Sequence, residues 1–171
     1  MRITYAFDNP MPSTKTDTEQ LANTVAALAR RGLSVDLLLP AQGAGPTADE
    51  IRRYYQVTGD FTVSLFPPTS TDRRTVQQVL HARRIASGPY LNGCDVVYTR
   101  QLVVVAQALR AGHRVAFEHY RPFGDQYPPV QPVLRTMMRH PRFVGAILHS
   151  EHARRSFERI GIPAERLLVA H

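Results

Sequence analysis

The sequence predicts an α/β fold, a Rossmann-like, doubly wound and mainly parallel sheet of seven strands. Three observations carry that expectation. Residues 1–40 form a complete strand, loop, helix and strand; short apolar strands keep alternating with amphipathic helices to the end of the chain; and 43% hydrophobic residues without a low-complexity run match a globular class. No internal linker and no repeat of fixed period interrupts the 171 residues, so a single domain, 1–171, is expected.

The first strand is Arg2-Ile-Thr-Tyr-Ala-Phe7, and Asp8-Asn-Pro-Met-Pro-Ser-Thr-Lys15 is a turn-rich loop. Thr16-Asp-Thr-Glu19 has the spacing of a capping box, in which hydroxyl and carboxylate each satisfy a free amide, so a helix is expected to begin there. Leu21, Val25 and Leu28 share one face of it, and Gly32 can take the left-handed conformation that ends it. Ser34-Val-Asp-Leu-Leu-Leu39 is the second strand. Thr47-Ala-Asp-Glu50 repeats the capping spacing before a short helix to about residue 56, and Phe61-Thr-Val-Ser-Leu-Phe66 is a third strand stopped by two prolines. A helix over 71–86 follows. Val76, Val79, Leu80 and Ile85 are expected to be core, while Arg73, Arg74, Arg83 and Arg84 make a strongly basic polar side.

Cys94-Asp-Val-Val-Tyr98 is the fourth strand, 101–111 a helix closed by Gly112, and His113-Arg-Val-Ala-Phe-Glu118 the fifth strand. The rhythm then breaks. Residues 119–132 contain four prolines, one glycine and three aromatics, too irregular for a helix and longer than a usual connection, which marks a candidate functional loop. A helix over 133–139, a strand over 143–149, a helix capped by Ser150 and ended by Gly161, and a strand over 166–170 complete the series.

Composition excludes several classes. Met1-Arg-Ile-Thr lacks the apolar centre of a secretory signal, and no apolar run approaches the ~18–20 residues of a membrane span, so a cytoplasmic location is expected. The lone Cys94 has no disulfide partner and no metal-ligand spacing, and reads as a small core residue. No cofactor and no metal is expected. There is no Walker loop, no Gly-x-Ser-x-Gly elbow and no Gly-x-Gly-x-x-Gly, so P-loop, serine-hydrolase and dinucleotide chemistry lack their local signatures. The net charge of +7 rests on twenty arginines and the single Lys15, a preference for a planar, permanently charged donor that pairs with phosphate or carboxylate. Those arginines are spread through several helices without a nucleic-acid motif, so no nucleic-acid partner is expected and part of the charge reads as solvated helix surface.

In an open doubly wound sheet, ligands bind above the carboxyl ends of the strands where the two halves diverge. Three segments are expected there: the loop 8–15, Thr99-Arg100, and His119-Tyr-Arg-Pro122. Lys15, Arg100 and Arg121 can hold an anion, Asn9 and Thr14 can bond hydroxyls, and His119 can exchange a proton near neutral pH. Each has a plainer alternative. His119 fits equally a structural or surface histidine, Arg100 a partner of sheet carbonyls, of Asp95 or of a neighbouring acid, and Lys15 a solvated cation. Glu118 reads as orienting a neighbour. Ser150 reads as a helix cap, and His149 and His152 beside it do not form a nucleophile–base pair.

Taken in order, these segments resemble the N-terminal half of a GT-B glycosyltransferase of the large retaining GT4 group. Leu21-Ala-Asn-Thr-Val-Ala-Ala-Leu-Ala-Arg-Arg-Gly-Leu-Ser-Val35 is similar to the family's first helix and second strand. Cys94-Asp-Val-Val-Tyr-Thr-Arg100 resembles its Asp-Val-Val-(Tyr/His)-x-Arg strand, and Phe117-Glu-His119 the strand end that carries a donor-contacting histidine. Ile147-Leu-His-Ser-Glu151 and Gly161-Ile-Pro-Ala-Glu-Arg-Leu-Leu-Val169 resemble the segment leading out of the N-terminal domain. The resemblance implies sugar transfer from a nucleotide-sugar to a glycan, lipid or small-molecule acceptor with retention of configuration, this half shaping the acceptor site. It implies His119 beside the reacting sugar, and Lys15 and Arg100 near phosphate or an acidic acceptor. Two departures bear on it. Ser13-Thr-Lys-Thr-Asp17 stands where the family often has a Gly-Gly pair, and the sequence ends at His171, where the family continues into a nucleotide-binding half. Activity is therefore expected to need a C-terminal donor-binding domain, from the same or a separate chain. Two other classes stay open: a non-catalytic sugar- or phosphate-binding module, and peripheral contact with the inner face of a membrane through the basic helix 71–86.

Overall fold

The computed structural model describes residues 1–69, 71–126 and 128–170. Tyr127 of the expected loop, and Ser70 and His171 of the expected domain, lie outside the described residues. Seven strands are present: β1 (Arg2–Ala6), β2 (Ser34–Pro40), β3 (Thr62–Phe66), β4 (Val96–Thr99), β5 (Val115–His119), β6 (Phe143–Leu148) and β7 (Leu167–Val169). They are interleaved with α1 (Thr16–Arg30), α2 (Ala48–Tyr55), α3 (Arg74–Ser87), α4 (Leu102–Arg110), α5 (Phe123–Gln126), α6 (Gln131–Met138) and α7 (Glu151–Arg159). The strand order is β3-β2-β1-β4-β5-β6-β7, the doubly wound order expected, and the chain divides into two compact units, Met1–Val97 and Tyr98–His171.

In the first unit β1 pairs in parallel with β2 from Arg2 opposite Ser34 to Ala6 opposite Leu38, and β2 pairs with β3 from Asp36 opposite Thr62 to Pro40 opposite Phe66. Tyr5, Leu37, Leu38, Leu39, Phe66 and Ile51 are fully buried, and α1 lays Leu21, Ala22, Val25 and Ala26 on this core, each large aliphatic contributing about 1.5–3 kcal/mol. Asp36 is buried in the middle of β2. The edge strand satisfies it, because Oδ1 accepts from Thr62 Oγ1 at 2.7 Å and Ser64 Oγ at 2.9 Å. Thr47 and Glu50 form the expected reciprocal box, and Gly32 ends the α1 turn at φ +79°. The box expected at Thr16 and Glu19 does not form. Lys15 is the N-cap residue without a side-chain cap, and Thr18 Oγ1 turns back to the Lys15 carbonyl at 2.7 Å.

Helix α3 also departs from expectation. It buries His81, Ala82 and Ile85, while Val76, Val79 and Leu80 are exposed. The cause is angular: at 100° per residue, positions 81, 82 and 85 share one side, and 76, 79, 80 and 83 share the opposite one.

In the second unit β5, β6 and β7 are parallel, with an irregularity between Val115 and Ala116 that resolves to His119 opposite Leu148. Phe117, Phe157, Leu134, Val105 and Leu148 are its buried centre. Ser150 caps α7 as expected, accepting from the Ala153 amide at 3.1 Å. The segment expected to be too irregular for a helix holds the short helix α5 and a 3-10 turn over Pro128–Val130. Tertiary bonds hold α5 in place of propensity. Asp125 takes Ser156 Oγ at 2.6 Å on Oδ1 and Arg159 Nε at 2.7 Å on Oδ2, which ties α5 to α7.

Candidate functional site

In the second unit the carboxyl ends of β4, β5 and β6 carry a compact group of polar side chains. β5 is covered on both faces, so successive residues Phe117 and Glu118 are both buried, Glu118 to 2% exposure. A carboxylate so placed needs charge and hydrogen bonds around it. Arg100, just past β4, supplies an ion pair to Oε1, and His149, just past β6, donates through Nε2 to the same oxygen at 2.9 Å. The Tyr98 hydroxyl also bonds Glu118; burial, and then the carboxylate beside it, push its phenol well above the ordinary value, so it stays a neutral donor.

His119 follows Glu118 but faces different company. Its ring stacks on Phe117 with centroids 5.4 Å apart, meets Phe123 edge-on at 5.1 Å and lies 5.5 Å from Tyr120. Burial, and then the positive charges of Arg121 and Arg100, push its pKa down to about 4, so the imidazole is neutral at physiological pH. Its Nε2 is buried and has no hydrogen-bond partner among the described residues. It shares this with other buried side-chain atoms, His81 Nδ1 among them, but here the nitrogen sits on an aromatic shelf at a strand end, where it can bond a hydroxyl from solvent or ligand. Arg121 is exposed, its guanidinium 5.2 Å from the Tyr120 ring centre.

Helix α5 sets the far side of that shelf, since it carries Phe123 to the histidine. Gly124 makes this possible: a Cβ there would fall inside contact distance of the Ser156 carbonyl and 2.9 Å from the Phe157 amide, both backbone.

The remaining expected residues belong to the first unit. Asn9 Oδ1 accepts from Arg74 at 3.4 Å. Thr14 and Lys15, both exposed, line a groove of about 360 Å³ with Ser13, Glu19, Tyr54 and Tyr55. The loop is held by Tyr55, whose hydroxyl accepts from the Ser13 amide at 2.7 Å and donates to its carbonyl at 2.9 Å. Next to it, Met11, Pro12, Pro40, Tyr54, Glu50 and Arg53 border a larger cavity of about 540 Å³ with mixed polar and apolar walls.

The sequence reading does not single out Tyr98 or the Asp125–Ser156–Arg159 link, and it considers His149 only as a base beside Ser150, not as a partner of Glu118. His149 had a signal in the sequence, because it directly follows the apolar run of β6, one residue beyond the Leu148 that pairs with His119. The Asp125 link had no such signal, its partners lying 31 and 34 residues away.

No protein-family model matches this sequence, and no curated protein matches it either. Solved structures do match in fold. The Anabaena protein HepE, in complex with UDP and glucose, is 16% identical with a TM-score of 0.60 over 99% of this chain and 44% of its own. The Neisseria meningitidis UDP-GlcNAc 2-epimerase, bound to UDP-GlcNAc, is 11% identical with a TM-score of 0.67 over 99% of this chain and 46% of its own. The lipopolysaccharide outer core galactosyltransferase WaaB, in apo form, is 8% identical with a TM-score of 0.54 over 98% of this chain and 44% of its own. The chain thus shares a GT-B-like α/β fold with one half of each of these structures, and spans less than half their length.

Proposed function

We propose that this chain is the acceptor-side, N-terminal GT-B domain of a retaining GT4-like glycosyltransferase. It works with a C-terminal domain, on the same or another polypeptide, that binds the nucleotide-sugar donor, and it is inactive without it. The observation that carries this reading is His119: a neutral imidazole at the end of β5 with a buried nitrogen lacking a partner. Such a group can hydrogen-bond a sugar hydroxyl without adding charge, and with its pKa at about 4 it is too weakly basic to take the acceptor proton at neutral pH.

In the transfer, the bond from the anomeric carbon to the diphosphate breaks, the acceptor oxygen bonds that carbon on the same face, and the acceptor proton leaves with the diphosphate. Growing negative charge on the leaving group is the main electrostatic demand. Arg100 is already committed to Glu118, so we assign that pair, with His149, to holding the strand ends rigid. In the second unit Arg121, exposed, is left to hold phosphate or an acidic acceptor; in the first unit Lys15 is the exposed cation of its groove, and Thr14 and Asn9 can bond hydroxyls.

A second reading comes from the same likeness, since UDP-GlcNAc 2-epimerases share the fold at TM-scores of 0.59 to 0.67, a range that includes HepE at 0.60. The two readings differ in what they consume. With a donor-binding half supplied, a transferase releases nucleoside diphosphate only when acceptor is present, whereas an epimerase alters the sugar-nucleotide without acceptor. Acceptor-dependent release supports the proposal. Acceptor-independent epimerisation, or silence with every donor-binding half and nucleotide-sugar tried, overturns it, silence being the behaviour of a pure binding module.

A further inference from the structure

We propose that the outward face of α3 docks on an anionic lipid surface. The helix is built the wrong way round for a purely structural element. Its inner side contributes His81, Ala82 and Ile85, whereas Val76, Val79 and Leu80 stand outward at 42%, 41% and 39% exposure. Three aliphatics within five residues on one exposed face form a contiguous stripe rather than scattered surface apolars. Arg83 lies on the same outward side, between Val76 and Val79 in helical angle, Arg84 lies beside Leu80, and Arg73, exposed, precedes the helix as its N-cap residue. Arg74 is exposed at the first turn. Arg84 is steadied by the Pro67 carbonyl at 2.6 Å and Arg74 by Asn9. No acidic residue occurs between Arg73 and Ser87; Asp72 precedes them. A shallow notch of about 440 Å³ bounded by Thr69, Leu80, Arg83, Arg84 and Ser87 adjoins the stripe.

That combination selects the occupant. Low overall hydrophobicity, short aliphatics and flanking arginines are the composition of a helix lying in a lipid interface, where side-chain methyls enter the acyl boundary and guanidinium groups meet phosphate. Nucleic acid would take the arginines but leave three aliphatics against a phosphate backbone, with no aromatic for stacking. A second copy packed α3 against α3 would bring arginine to arginine. Among the described residues no helix is long and apolar enough to cross a membrane, so the contact is peripheral. The arginines supply most of the attraction and the aliphatics the preference for a lipid interface, so binding must fall with salt.

The test is cosedimentation of the chain with vesicles of phosphatidylcholine alone and of phosphatidylcholine with phosphatidylglycerol, at low and high salt. The proposal expects binding to the mixed vesicles only, weakened by salt, by Arg73→Gln with Arg83→Gln (roughly fivefold per arginine), and by Val76→Ser with Val79→Ser and Leu80→Ser. Arg31→Gln with Arg110→Gln removes the same charge elsewhere and must leave binding nearly unchanged. Leu80→Ser alone serves if the triple variant unfolds. No binding to the mixed vesicles overturns the proposal. So does equal loss in both arginine pairs, which is diffuse attraction, or indifference to the serine substitutions. Concentration-dependent dimerisation abolished by those substitutions assigns the face to a second copy and likewise overturns it. None of these outcomes depends on sugar transfer.

Discussion

Acidification should discriminate sharply at one residue. The His119 imidazole has a folded pKa of about 4 against 6.5 for a free histidine, because burial and two nearby arginines oppose its charged form. The unfolded chain therefore takes up its proton first as pH falls. The stability held at this residue is complete above pH 6.5 and is lost progressively as pH drops through 6.5 to about 4. The depression corresponds to about 3 kcal/mol, or a fall in Tm of roughly 6–12 °C for a chain of this length. Replacing His119 with Phe removes the titration while fitting the ring among Phe117, Tyr120 and Phe123. Urea midpoints of wild type and His119→Phe across that pH range measure the difference. His81 and His113 are also held below the ordinary value by burial, but both proteins carry them and their effect cancels. The wild type should lose about 3 kcal/mol more than the variant on acidification. Parallel curves would refute the placement of a buried, neutral imidazole here.

Other changes test the neighbouring architecture. Glu118→Gln strips the buried partner of Arg100 and His149 and should cost about 3–5 kcal/mol in urea unfolding, because a guanidinium is left with its charge uncompensated. Gly124→Ala drives a methyl into the α7 backbone and should cost about 1–3 kcal/mol, with loss of Phe123 contacts to the His119 ring visible as changed ring chemical shifts. Thr47→Ala should lower stability by about 1 kcal/mol while Thr16→Ala moves it by only a few tenths, since only the first cap exists.

The contrast between those two threonines shows how far the sequence could be read. Strand count, parallel winding and most element positions follow from periodicity and turn residues, because each is encoded within a dozen neighbours: Gly32, Ser150 and the Thr47–Glu50 box all act locally. Thr16 fails although its spacing is as good, since Ser13 and Thr18 already bond each other at 3.0 Å and take the local hydrogen bonds at that helix start. Helix α3 was misread because periodicity tells which residues share a face, not which face meets the core. Asp36 sits in an apolar strand with nothing local to announce it, its partners Thr62 and Ser64 belonging to another strand. At the candidate site the strand-end rule singles out Arg100, Glu118 and His119, yet whether Arg100 is free or committed depends on Glu118 lying across the strand pair. The Asp125 clasp was invisible for the same reason.

The most direct test of the account is the rate of sugar transfer by the two-half enzyme carrying His119→Phe, measured with its unfolding midpoint at neutral pH. Phenylalanine keeps the packing and removes the hydrogen bond, so a fall of roughly a hundredfold in transfer with an unchanged midpoint is predicted. A rate within about twofold of wild type would contradict a hydrogen bond from this imidazole to the reacting sugar, since loss of such a contact is worth far more.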